Sequence, residues 1–137
     1  MSLCKGQVKI GRKKIKRGSW RFFCKRYLKR NYNFVESEFK NRHKYEILEN
    51  IKIDNLDFNV DIEFNGVKPK EIELRSIDNV DNHSIELYKN WVGKELNIDM
   101  VKNTWSKRSF KWGNISVKLT KISEQDIGCL TLKIRYK

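Results

Sequence analysis

Between Leu56 and Phe64 the chain alternates without a break: Leu56, Phe58, Val60, Ile62 and Phe64 are apolar, and Asp57, Asn59, Asp61 and Glu63 are polar. Side chains two residues apart share one face of a strand, so this rhythm predicts a strand with an apolar inner row and an acidic outer one. Asn65-Gly66 follows at once. Both residues tolerate positive φ, so the chain should turn there as a hairpin. The returning strand covers residues 70–76, with Ile72 and Leu74 inward and Pro69, which has no N–H to donate, at its start. Further strands are predicted at residues 45–53, 110–119 and 129–136. In the last of these, Leu130, Leu132, Ile134 and Tyr136 alternate with Thr131, Lys133 and Arg135. The polar stretch 120–128, ending in Gly128, reads as the loop of a second hairpin.

Two stretches carry helical spacing instead. Residues 83–96, capped by Asp81 or Asn82, set Ile85, Tyr88, Trp91, Val92 and Leu96 in one stripe. Upstream, Ser19 offers an N-cap for a helix over residues 19–42. Trp20, Phe23, Cys24, Tyr27, Leu28, Phe34 and Val35 fall on one face of that helix, and Arg21, Lys25, Arg26, Lys29 and Arg30 on the other. Two residues break the pattern: Asn31 lies within the apolar face and Phe22 among the cations. The aromatic stripe is read as core packed against a sheet, with insertion into a membrane as the alternative. Residues 1–18 hold three glycines and the run Arg12-Lys13-Lys14-Ile15-Lys16-Arg17. Val8 and Ile10 permit a short strand there, but glycines and like charges favour an extended arm. The expected fold is therefore α+β: an antiparallel sheet of about five strands with two amphipathic helices, preceded by a basic N-terminal arm. Residues 19–137 would form the single domain.

Charge changes this picture most. The first thirty residues carry twelve Lys/Arg and no Asp/Glu, and residues 1–45 hold the whole net charge of +13. The remaining residues have fifteen of each sign. A field of that sign confined to one third of the chain points to an anionic partner: nucleic acid, an anionic membrane face or an acidic protein. Three cysteines, Cys4, Cys24 and Cys129, lack a Cys-x-x-Cys spacing, which argues against a disulfide framework and a zinc knuckle. With no apolar stretch suited to a signal or a spanning helix, the expected location is cytoplasmic.

Candidate chemistry is sparse. His43 and His83 are the two histidines, and neither sits in an H-x-x-x-H pair or beside a recognisable nucleophile motif. The row Asp57, Asp61, Glu63 is read as the ordinary outward face of a strand, because a cation site needs oxygen ligands converging from several directions. No enzymatic activity, cofactor or metal is expected. The segment Trp105–Trp112 interleaves aromatics with Lys107, Arg108 and Lys111, the pattern with which single-strand binders stack bases and track phosphates. Its competing reading is core, with Phe110 and Trp112 inward and a bulge at Gly113 aligning them with Ile115, Val117 and Leu119. The run at residues 12–17 also has the loose shape of a nuclear-localisation signal.

Trp91, the stretch Phe110-Lys-Trp112-Gly113-Asn-Ile115 and the closing Leu132-Lys-Ile134-Arg-Tyr136-Lys137 together resemble small uncharacterised single-domain bacterial proteins. The resemblance covers residues 46–137. It implies an α+β domain with a Trp-Gly turn before a final hairpin, and some similar domains act as immunity or accessory proteins beside toxin genes. The reading that follows is a non-enzymatic binding protein that engages a polyanion, nucleic acid first. Its phosphate contacts would be Arg12, Lys13, Lys14, Lys16, Arg17, Arg21, Lys25, Arg26, Lys29 and Arg30. Trp105, Lys107, Arg108 and Lys111 would form a further aromatic and basic contact. The alternatives are a protein–protein module, such as a toxin-immunity partner, and a peripheral protein of the inner membrane face.

Overall fold

In the computed structural model, residues 3–77, 82–100, 104–121 and 127–137 are described. The alternation at residues 56–64 becomes the central strand β6 (Leu56–Asn65), and positive φ at Gly66 turns it into β7 (Lys68–Ser76). The final hairpin pairs β9 (Gly113–Lys121) with β10 (Ile127–Tyr136) in register Leu132↔Val117 and Ile134↔Ile115. Helix α2 (Asn82–Leu96) carries the chain from β7 to the far edge of the sheet. Asp81, one of the two predicted caps, and most of the predicted 120–128 loop lie outside the described residues, and Asn82 is the first residue of α2.

The sheet is larger than expected. Among the described residues eight strands join in one antiparallel sheet, ordered β3 (Phe34–Phe39), β4 (Arg42–Ile47), β6, β7, β10, β9 and β8 (Trp105–Phe110), with β5 (Ile51–Ile53) also pairing β6. Of the additional strands, one lies within the predicted helix 19–42, and another arises because the predicted strand 45–53 divides in two. Helix α1 covers only Arg21–Asn31, and the chain returns as β3 (Phe34–Phe39) and β4 (Arg42–Ile47). The alternation His43, Tyr45, Ile47, all buried, is a period-two signal that begins just before the strand predicted from residue 45. A turn at Lys40, whose φ is 56°, closes that hairpin. Another strand, β8 (Trp105–Phe110), pairs with β9 across a tight turn at Lys111-Trp112, so a reversal of the chain stands where a bulge at Gly113 was expected.

The extended arm is also corrected. Residues 3–15 form a 3₁₀ turn (Leu3–Lys5) and a hairpin of β1 (Val8–Ile10) and β2 (Lys13–Ile15). Leu3, Val8, Ile10 and Ile15 are fully buried in the common core. The glycines serve the hairpin's approach to that core and not its freedom. At Gly6 an added Cβ would lie 2.7 Å from the Trp112 ring, and at Gly11 it would lie 2.3 Å from the Tyr27 hydroxyl.

One layer, made of α1, the hairpin, the 3₁₀ turn and α2, therefore covers one face of the sheet. Phe58, Val60, Ile62 and Phe64 of β6 meet Ile72 and Leu74 of β7 and Leu130, Leu132 and Ile134 of β10 beneath it. Aromatic edges lock α2 onto that face, with Phe58 packed against Tyr88 and Trp91 at centroid separations of 5.3 and 5.2 Å. The opposite face is left open, as an antiparallel sheet permits.

Because Ile10 is wholly buried, truncating it removes core. Ile10→Ala should cost about 2–5 kcal/mol of unfolding free energy in urea denaturation. Gly18→Ala should be nearly neutral, since nothing lies within 4 Å of an added Cβ there. Equal stability of the two variants would show that the hairpin is dispensable.

A basic layer and an aromatic tip

The hairpin and α1 lie side by side: the Arg12 backbone N–H donates to the Tyr27 hydroxyl at 2.8 Å. This contact welds the two most cationic segments into one surface. Of the predicted phosphate contacts, Arg12, Lys14, Lys16, Arg17, Arg26, Lys29 and Arg30 are exposed or half-exposed on it. Three do not join them fully. Lys13 is half-buried beside Cys24, where its charge partly offsets the rise that burial imposes on the thiol's pKa. Arg21 turns under the helix and donates from Nε to the Gly66 carbonyl (3.1 Å) and from a terminal nitrogen to the Tyr45 hydroxyl (3.4 Å). Lys25 pairs with Glu36 at 2.8 Å.

That pair shifts both partners. The hydrogen bond from Lys25 holds the Glu36 carboxyl below the ordinary carboxylate range, while the bond to Glu36 raises the Lys25 ammonium. Among the described residues, Lys25 is the one cation of residues 1–30 in an ion pair. Three acids on the sheet are committed elsewhere. Asp61 and Glu73 both accept from Arg75, at 2.8 and 2.7 Å, and Glu71 accepts from Arg135 at 2.7 Å.

Sequence reasoning missed two contributors to the basic layer. Lys9 and Lys52 join Lys14 around an open cleft of about 380 Å³ formed where the hairpin meets β5. The signal was the alternation Val8-Lys9-Ile10, which obliges Lys9 to point away from the core. Arg17, Lys68 and Lys137 gather at a second opening beside Gly18.

The aromatic stripe divides. Cys24 and Leu28 are buried and Tyr27 is half-buried. Trp20, Phe22 and Phe23 are 53, 66 and 54% exposed, which corrects the expected packing of Trp20 and Phe23. The Phe22 and Phe23 rings meet edge to face at 5.7 Å, and Lys68 lies over the Trp20 ring at 4.6 Å. These rings sit where the start of α1 meets two sheet turns. The Arg21 N–H donates to the Val67 carbonyl (2.8 Å), and the Gly66 N–H donates to that of Asn41 (2.7 Å). Val67 and, at the neighbouring turn, Phe39 are exposed as well. Lys68 over Trp20 and Lys40 over Phe39, at 5.5 Å, thus flank an apolar tip.

The segment Trp105–Trp112 splits by strand parity. Trp105 and Lys107 share the open sheet face, while Arg108 turns inward to the Leu96 carbonyl and the face of Phe110. Lys111 is exposed in the turn. Phe110 and Trp112 stack at 5.1 Å against the core, and the Trp112 Nε1–H donates to the Cys4 carbonyl at 2.9 Å. The four residues do not form one site.

His43 is covered: its Nδ1 lies 3.4 Å from Arg21 and its Nε2 3.9 Å from Glu38. Among the described residues no group of three His, Cys, Asp or Glu is placed to hold a metal, and no helix is long and apolar enough to cross a membrane. Compared with protein-family models, curated proteins and solved structures, the chain matches none.

The Lys25–Glu36 pair gives a pH signature. Glu36 titrates below its ordinary value in the fold, so its stabilisation is complete above the ordinary carboxylate range and lost as pH falls through the depressed value. Lys25 mirrors this, its share being complete below the ordinary lysine range and lost as pH rises through the raised value. Glu36→Gln should flatten the acid limb of a melting-temperature-against-pH profile. At neutral pH it should cost no more than about 1 kcal/mol, because the pair is partly exposed. An unchanged acid limb would assign that limb to other carboxylates.

Proposed function

We propose that this protein is a non-enzymatic nucleic-acid-binding protein that uses the layer of hairpin and α1 as its phosphate-contacting surface. One observation carries the reading: a field of +13 is displayed on packed structure, and a single ion pair among the described residues opposes the twelve cations of residues 1–30. Internal packing does not require those charges. The buried positions Val8, Ile10 and Ile15 dictate only that their neighbours be polar. A rigid cationic surface loses little conformational freedom on binding, and it attracts a polyanion over about a Debye length before contact. Exposed Trp20, Phe22 and Phe23 beside Arg17, Arg26 and Lys68 favour single strands over duplex, because only unstacked bases can lie on the rings.

A second reading rests on the same tip. Phe22 and Phe39 carry no polar atom on their rings, and with Trp20 and flanking cations they would suit the interface of an anionic bilayer. Here the rings are already outside the core, so insertion needs no unfolding. An acidic protein partner would use the same charge without needing the tip.

Fluorescence anisotropy with labelled oligonucleotides and sedimentation with vesicles separate these readings. If 6–10 phosphates are engaged, affinity for a single strand should fall by about 10³–10⁵ between 50 and 200 mM salt. The charge reversals Lys14→Glu, Lys16→Glu and Arg26→Glu together should lower the slope of log K against log salt by roughly 2 for a single strand, at about 0.7 for each phosphate no longer neutralised. Absent or salt-insensitive binding to both DNA and RNA would sink the proposal. Binding to anionic but not neutral vesicles, with no oligonucleotide binding, would replace it with the membrane reading.

A further inference from the structure

We infer that the open face of the sheet over β8, β9 and β10 is a second binding site for single-stranded nucleic acid, separate from the basic layer on the other side. The register puts the relevant side chains together. Trp105 faces Lys118 across the β8–β9 pair, and Lys107 and Lys133 both flank Ser116. Trp105 is 58% exposed, although an indole on the polar face of an edge strand has no packing reason to be there. Around it lies an open cleft of about 380 Å³, whose lining includes Lys107, Lys118, Lys133 and Asn114 and, at its β7 side, Glu73.

Three features of this cleft favour one class of ligand. First, its lysines are unneutralised. Lys107, Lys118 and Lys133 make no ion pair among the described residues. Glu73, the cross-strand neighbour of Lys133, is held by Arg75 at 2.7 Å, and Glu71 is held by Arg135 at the same distance. Second, the charge is segregated within a part of the chain that is neutral overall. Lys107, Lys118, Lys133 and Arg135 are the charged residues on the outer face of β8–β10, whereas Asp61, Glu63, Glu71 and Glu73 lie on that of β6 and β7, with Arg75 among them. Because Arg75 and Arg135 offset Asp61, Glu71 and Glu73, the uncompensated charge over the cleft, which Glu73 also lines, is that of the three lysines. Third, Oδ1 of Asn114 is buried and accepts no hydrogen bond among the described residues. A buried acceptor left without a donor is costly, and the amino or imino group of a base would satisfy it.

A phosphate alone would satisfy the lysines but not the indole or the amide. A short run of nucleotides satisfies all three, one base stacking on Trp105 and another donating to Asn114, which lies four residues along β9 from Lys118. The flat sheet allows a base to stack on Trp105 while neighbouring phosphates meet Lys107, Lys118 and Lys133, which is how sheet platforms take up single strands. Three strands span about 10 Å, enough for a short run of nucleotides. Two such faces on opposite sides of one molecule would let it hold two segments of nucleic acid together.

The test counts strands and places them. Native mass spectrometry of the full chain with a short oligothymidylate should give two bound strands for the unaltered protein. It should give one for Trp105→Ala/Lys107→Glu/Lys118→Glu, and one for the basic-layer reversal Lys14→Glu/Lys16→Glu/Arg26→Glu. On the basic-layer variant, where the sheet face is the remaining site, Trp105→Ala alone should weaken binding by roughly 5- to 150-fold. Trp105→Phe should restore most of it, because a phenyl ring still stacks. Two strands retained after the sheet-face substitutions, or a Trp105→Phe variant as weak as Trp105→Ala, would overturn the inference. One strand on the unaltered protein that survives the sheet-face substitutions would overturn it and leave the basic-layer proposal standing. One strand that survives only the basic-layer reversal would do the opposite. A poly-glutamate peptide that displaces nothing from the sheet face supports nucleic acid. Tighter binding of that peptide than of the oligonucleotide to the basic-layer variant would assign the face to an acidic protein instead.

Discussion

The inner face of the sheet must be covered, and the two helices are too few to do it. Seven strand positions span about 29 Å, while two helices side by side cover about 20–24 Å. The shortfall is about one layer of chain wide, and the hairpin of β1 and β2 fills it with Val8, Ile10 and Ile15. Everything distinctive about the molecule follows from this. A segment whose composition resembles a loose tail becomes a structural lid, and its charges are fixed in place because its apolar residues are fixed beneath them.

The same geometry separates what packing explains from what it does not. Alternation dictates that Lys9 and Lys14 lie outside, but any polar residue would meet that requirement. The absence of acids from residues 1–30 is therefore a property of the outer surface and not of the fold. At the start of α1 the relation is reversed. Arg21 is a cation used structurally, donating to the Gly66 carbonyl and reaching His43 and Tyr45, and it holds the tip that presents Trp20, Phe22 and Phe23. Exposed rings of this size are unfavourable in water, and three at one helix start form a patch of the kind that marks an interaction site.

Legibility in the sequence tracked the strength of periodicity. The strand at residues 56–64, its Asn-Gly turn, the last strand and α2 could be read because one period ran uninterrupted through each. The segment from residue 31 onward could not. Phe34 and Val35 continue the helical spacing by chance, and the true break at Tyr32-Asn33 carries neither Gly nor Pro. Phe39-Lys40-Asn41-Arg42 turns through positive φ at a lysine, a residue that gives no turn signal. The hairpin at residues 8–15 was hidden by its length, three residues per strand, and by charges that suggested repulsion. Of the candidate surface, the cations of residues 12–30 were legible as a group. Lys9, Lys52 and the pairing of Trp105 with Lys118 were not, because each depends on how separate strands come together.

Trp112 and Tyr136 reach back to the opening residues, donating to the carbonyls of Cys4 at 2.9 Å and Gly6 at 2.7 Å. The separation is 130 residues in the second case, so this part of the core joins early chain to late chain. A ribosome adding about 5–20 residues per second would leave the carbonyls of Cys4 and Gly6 without these donors for on the order of ten seconds. During that interval a strongly cationic, partly apolar segment would emerge beside ribosomal RNA, itself a polyanion. Completion of the lid would then compete with the very chemistry that its outer surface displays.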